Sequence, residues 1–199
     1  MKSNVCKIES GIKDLAAILQ ESEKVAVYNG LNNKQSLQLR LLCEEIDGML
    51  PNIIDTFEGD FWIEFENGVC KINVSIQLTD FSVEKKKELI GISTDKKNAS
   101  AKGIGGKIRS AIEDFFLNEG NYEPYDMGTS YYQHPVENCL NGNYFYLWGL
   151  EQYKTTILPD KQKEAWDELE KSIIASLADD VVVGVKGKKA EIVIIKKFI

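Results

Sequence analysis

The residues whose types and spacing best suit a chemical task form one run, Lys102-Gly103-Ile104-Gly105-Gly106-Lys107-Ile108-Arg109. Its three glycines let a backbone approach a bound group closely. It opens an apolar-periodic stretch that reads as a helix, and the free N–H groups at a helix start favour an anion, phosphate above all. The basic residues agree with that. Between Phe81 and Arg109 stand Lys85, Lys86, Lys87, Lys96, Lys97, Lys102, Lys107 and Arg109, against Glu84, Glu88 and Asp95. The stretch carries +5, so the remainder of a chain with net charge −7 carries −12. The competing reading is a solvated basic loop with a glycine-rich helix entry.

Acids that could act with such a turn stand on other elements. Leu39, Leu42, Cys43, Ile46, Met49, Leu50 and Ile53 recur at helical spacing and predict one buried stripe. Leu37, Leu41, Glu44 and Gly48 recur on a different face, which predicts a helix covered on two sides, ended or kinked at Pro51. Upstream, residues 4–9 read as a short strand and Gly11–Tyr28 as a helix, with a loop at Asn29–Asn33. Downstream, Asn67-Gly68 separates two alternating segments, 61–66 and 69–78, and predicts a hairpin. Cys70, Ile72, Val74, Ile76 and Leu78 point one way, and Lys71, Asn73, Ser75 and Gln77 the other, as in a sheet with one dry and one wet face.

Residues 79–103 are polar and lack a period. The helix after Gly103 buries Ile108, Ile112, Phe115 and Phe116. Residues 118–159 are rich in aromatics, and 143–155 read as helical. Asp160 suits the N-cap of another helix with Trp166, Leu169, Ile173 and Leu177 inside, and strands near 181–186 and 190–198 surround a turn at Gly187. Strands that come in hairpins, with helices to cover one face, predict a two-layer α+β sandwich. The sheet is mixed or antiparallel, with about five strands. Residues 1–199 form a single domain, with a helical elaboration at about 118–160.

Composition bounds the function. The 199 residues are 43% hydrophobic and 28% charged, ordinary for a globular domain. The acidic balance argues against a nucleic-acid binder, and no apolar run is long enough for a membrane span or a signal peptide. Cys6, Cys43, Cys70 and Cys139 are widely spaced and the single histidine is His134, which suits reduced thiols in a cytoplasmic protein rather than a zinc site or disulfide framework.

The order of these parts resembles the Bergerat-fold ATP-binding domain of the GHKL superfamily (gyrase, histidine kinases, MutL). Its resemblance is greatest to the bacterial anti-sigma-factor serine kinases of partner-switching systems, over roughly residues 5–117 and the final hairpin. That family carries E-x-x-x-N on its second helix. The resemblance implies that Glu44 is the general base and that Gly48 stands where the family has its Mg²⁺-ligating Asn; a shift by one residue gives Glu45 and Met49. It implies that Asp80 holds adenine, without the glycines that usually follow it. It also implies that Lys102, Gly103, Gly105, Gly106 and Lys107 hold phosphate, and that residues 93–102 occupy the place of an ATP lid. The function so implied is a cytoplasmic, ATP-binding regulatory protein. Its protein partner would be a sigma factor or antagonist, it would form a homodimer, and it would be a serine/threonine kinase or ATPase if the Mg²⁺ motif still works. The alternative is a non-catalytic interaction module on the same fold.

Overall fold

The computed structural model describes residues 1–11, 15–78, 103–117, 145–156 and 172–198. Strand β1 (Cys6–Glu9) is followed by helices α1 (Leu15–Tyr28) and α2 (Asn33–Ile53), then by strands β2 (Glu58–Glu66) and β3 (Val69–Gln77). Helix α3 (Gly103–Leu117) comes next, then β4 (Phe145–Gly149), α4 (Leu150–Thr156), α5 (Ile173–Leu177), β5 (Asp180–Lys186) and β6 (Lys189–Lys197). The strands form one six-stranded sheet in the order β1-β2-β3-β6-β5-β4, with every neighbouring pair antiparallel. The protein is an α+β fold. No described helix is long and apolar enough to cross a membrane.

Local chemistry explains the boundaries. Asn32 caps α2: its side chain accepts from the Gln35 amide at 3.0 Å while the Gln35 side chain accepts from the Asn32 amide at 3.0 Å, a reciprocal capping box. The helix runs two residues past Pro51 and stops at Ile53. Asn67 and Gly68 have φ of 50° and 77°, the left-handed pair that a two-residue hairpin turn needs.

All seven residues of the α2 stripe are buried, and they meet Ile18 and Val25 of α1, Ile108 and Ile112 of α3, and Phe61, Ile63, Ile72 and Val74 of the sheet. Leu150 of α4 and Ile174 of α5 join the same cluster.

Four expectations are corrected. The second α2 face is not covered: Leu37 and Gly48 are exposed, and Leu41 and Glu44 are half-buried. The sheet has six strands, because β4 lies within the 143–155 segment read as helix; its Phe-Tyr-Leu-Trp run favours a strand, and helix begins only at Leu150. In α5 the inward residue is Ile174, and Ile173 is exposed. The second sheet face is not wet throughout. Trp62, Asn73, Val193 and Val182 lie in register across β2, β3, β6 and β5, and all four are buried. The reason is visible in β5 and β6, whose continuous apolar runs Val181–Val183 and Ile192–Ile195 are those of strands buried on both faces.

Asn73 stands out in that row. Its Nδ2 donates to the Lys71 carbonyl at 3.1 Å, but its Oδ1 is buried with no hydrogen-bond partner. Because an unpaired buried acceptor carries a desolvation penalty, Asn73→Val is expected to raise stability by about 1 kcal/mol. A urea midpoint at constant slope reads it, and a fall in the midpoint would assign Asn73 a packing role that valine cannot fill.

Cys43 and Cys70 are buried free thiols, and Cys6 is half-buried. Burial pushes the Cys70 thiol up to about 12 and the Cys43 thiol well above its usual range. Unfolded thiols ionise near 8.5, so the unfolded chain releases these protons first as pH rises. Stability is therefore expected to be intact below about pH 8.5 and to fall by about 1.4 kcal/mol per pH unit for each thiol above it, until the folded thiols ionise. Urea melts from pH 8 to 11 check this, and Cys70→Ala is expected to flatten the alkaline slope.

Asp80, Lys102, the segment 93–102, His134, Cys139, Asp160, Trp166, Leu169 and the aromatic stretch 118–144 lie outside the described residues.

Candidate functional site

The glycine-rich turn is built where α3 begins. The chain enters the helix through Gly103, whose φ of 65° is in the left-handed region that glycine alone adopts freely. Ile104, Gly105 and Gly106 are buried at once beneath it. What they meet is the C-terminal end of α2. A Cβ added at Gly105 would lie 3.1 Å from Met49 Cγ and 3.2 Å from Asn52 Cβ, so the absent side chain is what lets the two helices approach.

The side chains around this junction are engaged. Arg109 Nη1 lies 3.2 Å from Asp55, just after α2, and its Nε donates to Glu113 at 2.9 Å one turn along α3. Desolvation lowers the Arg109 pKa, but hydrogen bonds to Glu113 and Asp55 outweigh it, and the guanidinium is held above its ordinary value. Lys107 Nζ sits 5.7 Å from the centroid of the Tyr153 ring, a cation–π contact that ties α3 to α4. Tyr153 in turn rests against Trp148 of β4, with ring centroids 5.8 Å apart. Asn52 Nδ2 donates to the Gly48 carbonyl at 3.3 Å.

Glu44 stands elsewhere. Its carboxylate accepts from Arg40 Nε at 3.0 Å, and Arg40 Nη1 reaches Glu23 of α1 at 3.0 Å. That network lies on the outer side of the α1–α2 pair, with Arg40 and Glu23 both exposed. Along α2, Glu44 is about 12 Å from Asn52 at 1.5 Å per residue. The structure thus brings Gly103, Gly105, Gly106 and Lys107 together against Met49 and Asn52, and leaves Glu44 apart from them.

Of the two α2 positions that the resemblance offered for the motif's Asn, Gly48 faces open space, and Met49 lies against the glycine turn beside Asn52. Sequence reading did not anticipate Asp55 and Glu113 as partners of Arg109, although the i,i+4 spacing of Arg109 and Glu113 was a usable signal. Among the described residues, no three His, Cys, Asp or Glu side chains converge as a metal site. No protein-family model, curated protein or solved structure matches the chain.

Proposed function

We propose that the chain is a regulatory interaction module on a sandwich of the Bergerat type, acting through a protein partner and without phosphoryl transfer of its own. The observation that carries this reading is the contact between Met49 and Gly105. In the ATP-binding domains that the sequence resembles, that part of the second helix supplies an oxygen ligand to Mg²⁺ beside the phosphates. Met49 supplies a thioether and a hydrocarbon stem, buried to 5% exposure. Met49 therefore offers no ligand to a Mg²⁺ ion, which demands oxygen, and the one amide oxygen beside it, on Asn52, is off the E-x-x-x-N spacing. Arg109 is committed to Asp55 and Glu113, and Glu44 is held by Arg40 away from the turn.

One feature favours a second reading, in which ATP or ADP is bound without being turned over. Gly103, Gly105 and Gly106 still open a 15-residue helix, the element that suits a phosphate. Under either reading the partner is a regulatory protein of the sigma-factor or antagonist type, and buried reduced thiols suit a cytoplasmic location.

A turnover assay with ATP and Mg²⁺ tests the proposal. Phosphate release and transfer to serine peptides are expected to stay at the level of the protein-free control. Mg²⁺-dependent turnover abolished by Glu44→Ala or Glu45→Ala would contradict it.

A further inference from the structure

The helices pack on the sheet face of Phe61, Ile63, Ile72 and Val74, so the alternate residues of β2 and β3 face the other way. That second face carries an apolar cluster of its own, Val182, Val193 and Ile195. Asn73 lies in register with Val193 and is fully buried. Its Nδ2 donates to the Lys71 carbonyl, two residues back along β3. Oδ1, on the other side of the amide, has no hydrogen-bond partner. The neighbours in register cannot supply one. Val193 has no polar side-chain atom, and Trp62 gives its Nε1–H to Glu64 at 2.9 Å. Valine occupies the same row on β5 and β6, so packing alone does not call for an amide at position 73.

The next position along this face holds a second buried polar group. Glu191 of β6 is 1% exposed and lies in register with Ser75 of β3 and Gly184 of β5. Asn73, Ser75 and Glu191 project from the same face, because side chains alternate along each strand. Asn73 and Glu191 are diagonal neighbours, with Cβ atoms about 7 Å apart, a span that two side-chain oxygens can close around one small group. Neither Ser75 nor Gly184 has a side chain long enough to reach over the carboxylate. Asp60, opposite Ser75 on β2, is paired with Lys7 at 2.6 Å and adds no net charge.

We propose that Asn73, Ser75 and Glu191 bind an alkali-metal cation, Na⁺ or K⁺, on the sheet face away from the helices. The donor set identifies the ligand. An ionised carboxylate and an amide oxygen only accept, and a serine hydroxyl offers two lone pairs. Such hard oxygen donors suit a hard cation. One carboxylate among neutral oxygens balances a single positive charge, whereas Mg²⁺ and Ca²⁺ carry twice that. A carboxylate has about four acceptor positions, so a further bond to Glu191 leaves it able to hold the ion. Burial disfavours a carboxylate without a positive charge beside it and an amide oxygen without a partner, and one cation relieves both. The inference does not depend on whether a nucleotide binds at the glycine turn.

Urea denaturation of the full chain in NaCl, KCl and tetramethylammonium chloride, all at one ionic strength, tests it. Tetramethylammonium is too large for the site and serves as the inert salt. NaCl or KCl is expected to raise the midpoint by about 0.5 M over the inert salt, because a ligand that binds only the folded state stabilises it. A response to one of the two ions selects that ion. Asn73→Val is expected to raise the midpoint in tetramethylammonium chloride, where the oxygen has no partner, and to lose the response to Na⁺ and K⁺. Glu191→Gln is expected to lose the response as well; if it fails to fold, Asn73→Val carries the test. Broadening of the ²³Na resonance by the native protein, absent with Asn73→Val, is the second readout. Equal midpoints in the three salts overturn the proposal and leave Asn73 with water only. So does an alkali-metal response that Asn73→Val retains.

Discussion

Gly105→Val is expected to destabilise the protein by about 3 kcal/mol, the upper end of what overpacking a close contact costs. The new Cβ would stand 3.1 Å from Met49 Cγ and 3.2 Å from Asn52 Cβ, and the valine methyls would go further into the same space. Helix α3 would have to lift from α2, loosening the contacts of Ile104, Ile108 and Ile112 with the core. For a chain of this size the melting temperature is expected to fall by about 6–12 °C. Met49→Ala makes room on the facing helix, so the double variant is expected to recover about 1–2 kcal/mol relative to the sum of the single changes. A glycine kept only to cradle phosphate would leave open space above it, and the ligand-free protein would tolerate a valine. An unchanged melting temperature for Gly105→Val would therefore contradict the close-packed junction described above.

Leu42→Ala is expected to lose about 3–4 kcal/mol, within the range for emptying a buried leucine site. Leu42 is fully buried in the middle of α2, within the core that α1, α3 and the sheet also line, and its close-packed surroundings limit collapse into the cavity. The exposed side of the same helix provides the contrast. Leu37→Ala removes the same atoms from an exposed position of the same helix, and at low protein concentration its effect is expected to stay within about 0.5 kcal/mol. Paired denaturation curves with equal slopes measure both changes. Equal losses at the two positions would mean that the α2 stripe is not what anchors this helix.

The sequence was most legible where one periodicity dominated. The α2 stripe was read residue for residue, because a helix buried along one line writes its apolar residues at fixed offsets. The Asn67-Gly68 turn was equally plain, since few residue pairs accept two left-handed conformations. Strand β4 was missed because its aromatic residues run directly into a short helix, and a five-residue strand offers too few positions to set its period apart. The burial of Asn73 was misjudged because polar residues alternate along β3, while the apolar runs that bury its far side belong to β5 and β6. Alternation within one strand does not record what its neighbours place beside it.

The candidate site was legible only in part. Glycines before a helix identify a place of close approach, but the same residue type admits a phosphate or a packed helix. Which residues of α2 lie against those glycines depends on how α3 crosses α2, and no local pattern records that. Glu44 was singled out only through the family resemblance, and the structure shows its carboxylate accepting from Arg40, which also reaches Glu23 on the outer side of the helical pair.

The central claim is that the α2–α3 junction is a packed contact and not a metal–phosphate site. Calorimetric titration of the purified chain with ATP and with ADP, each with and without Mg²⁺, tests it most directly. The packed junction predicts no Mg²⁺-dependent heat with either nucleotide. Micromolar binding of ATP that requires Mg²⁺ and disappears with Gly105→Val in a still-folded protein would contradict it, and would return the glycine turn to phosphate.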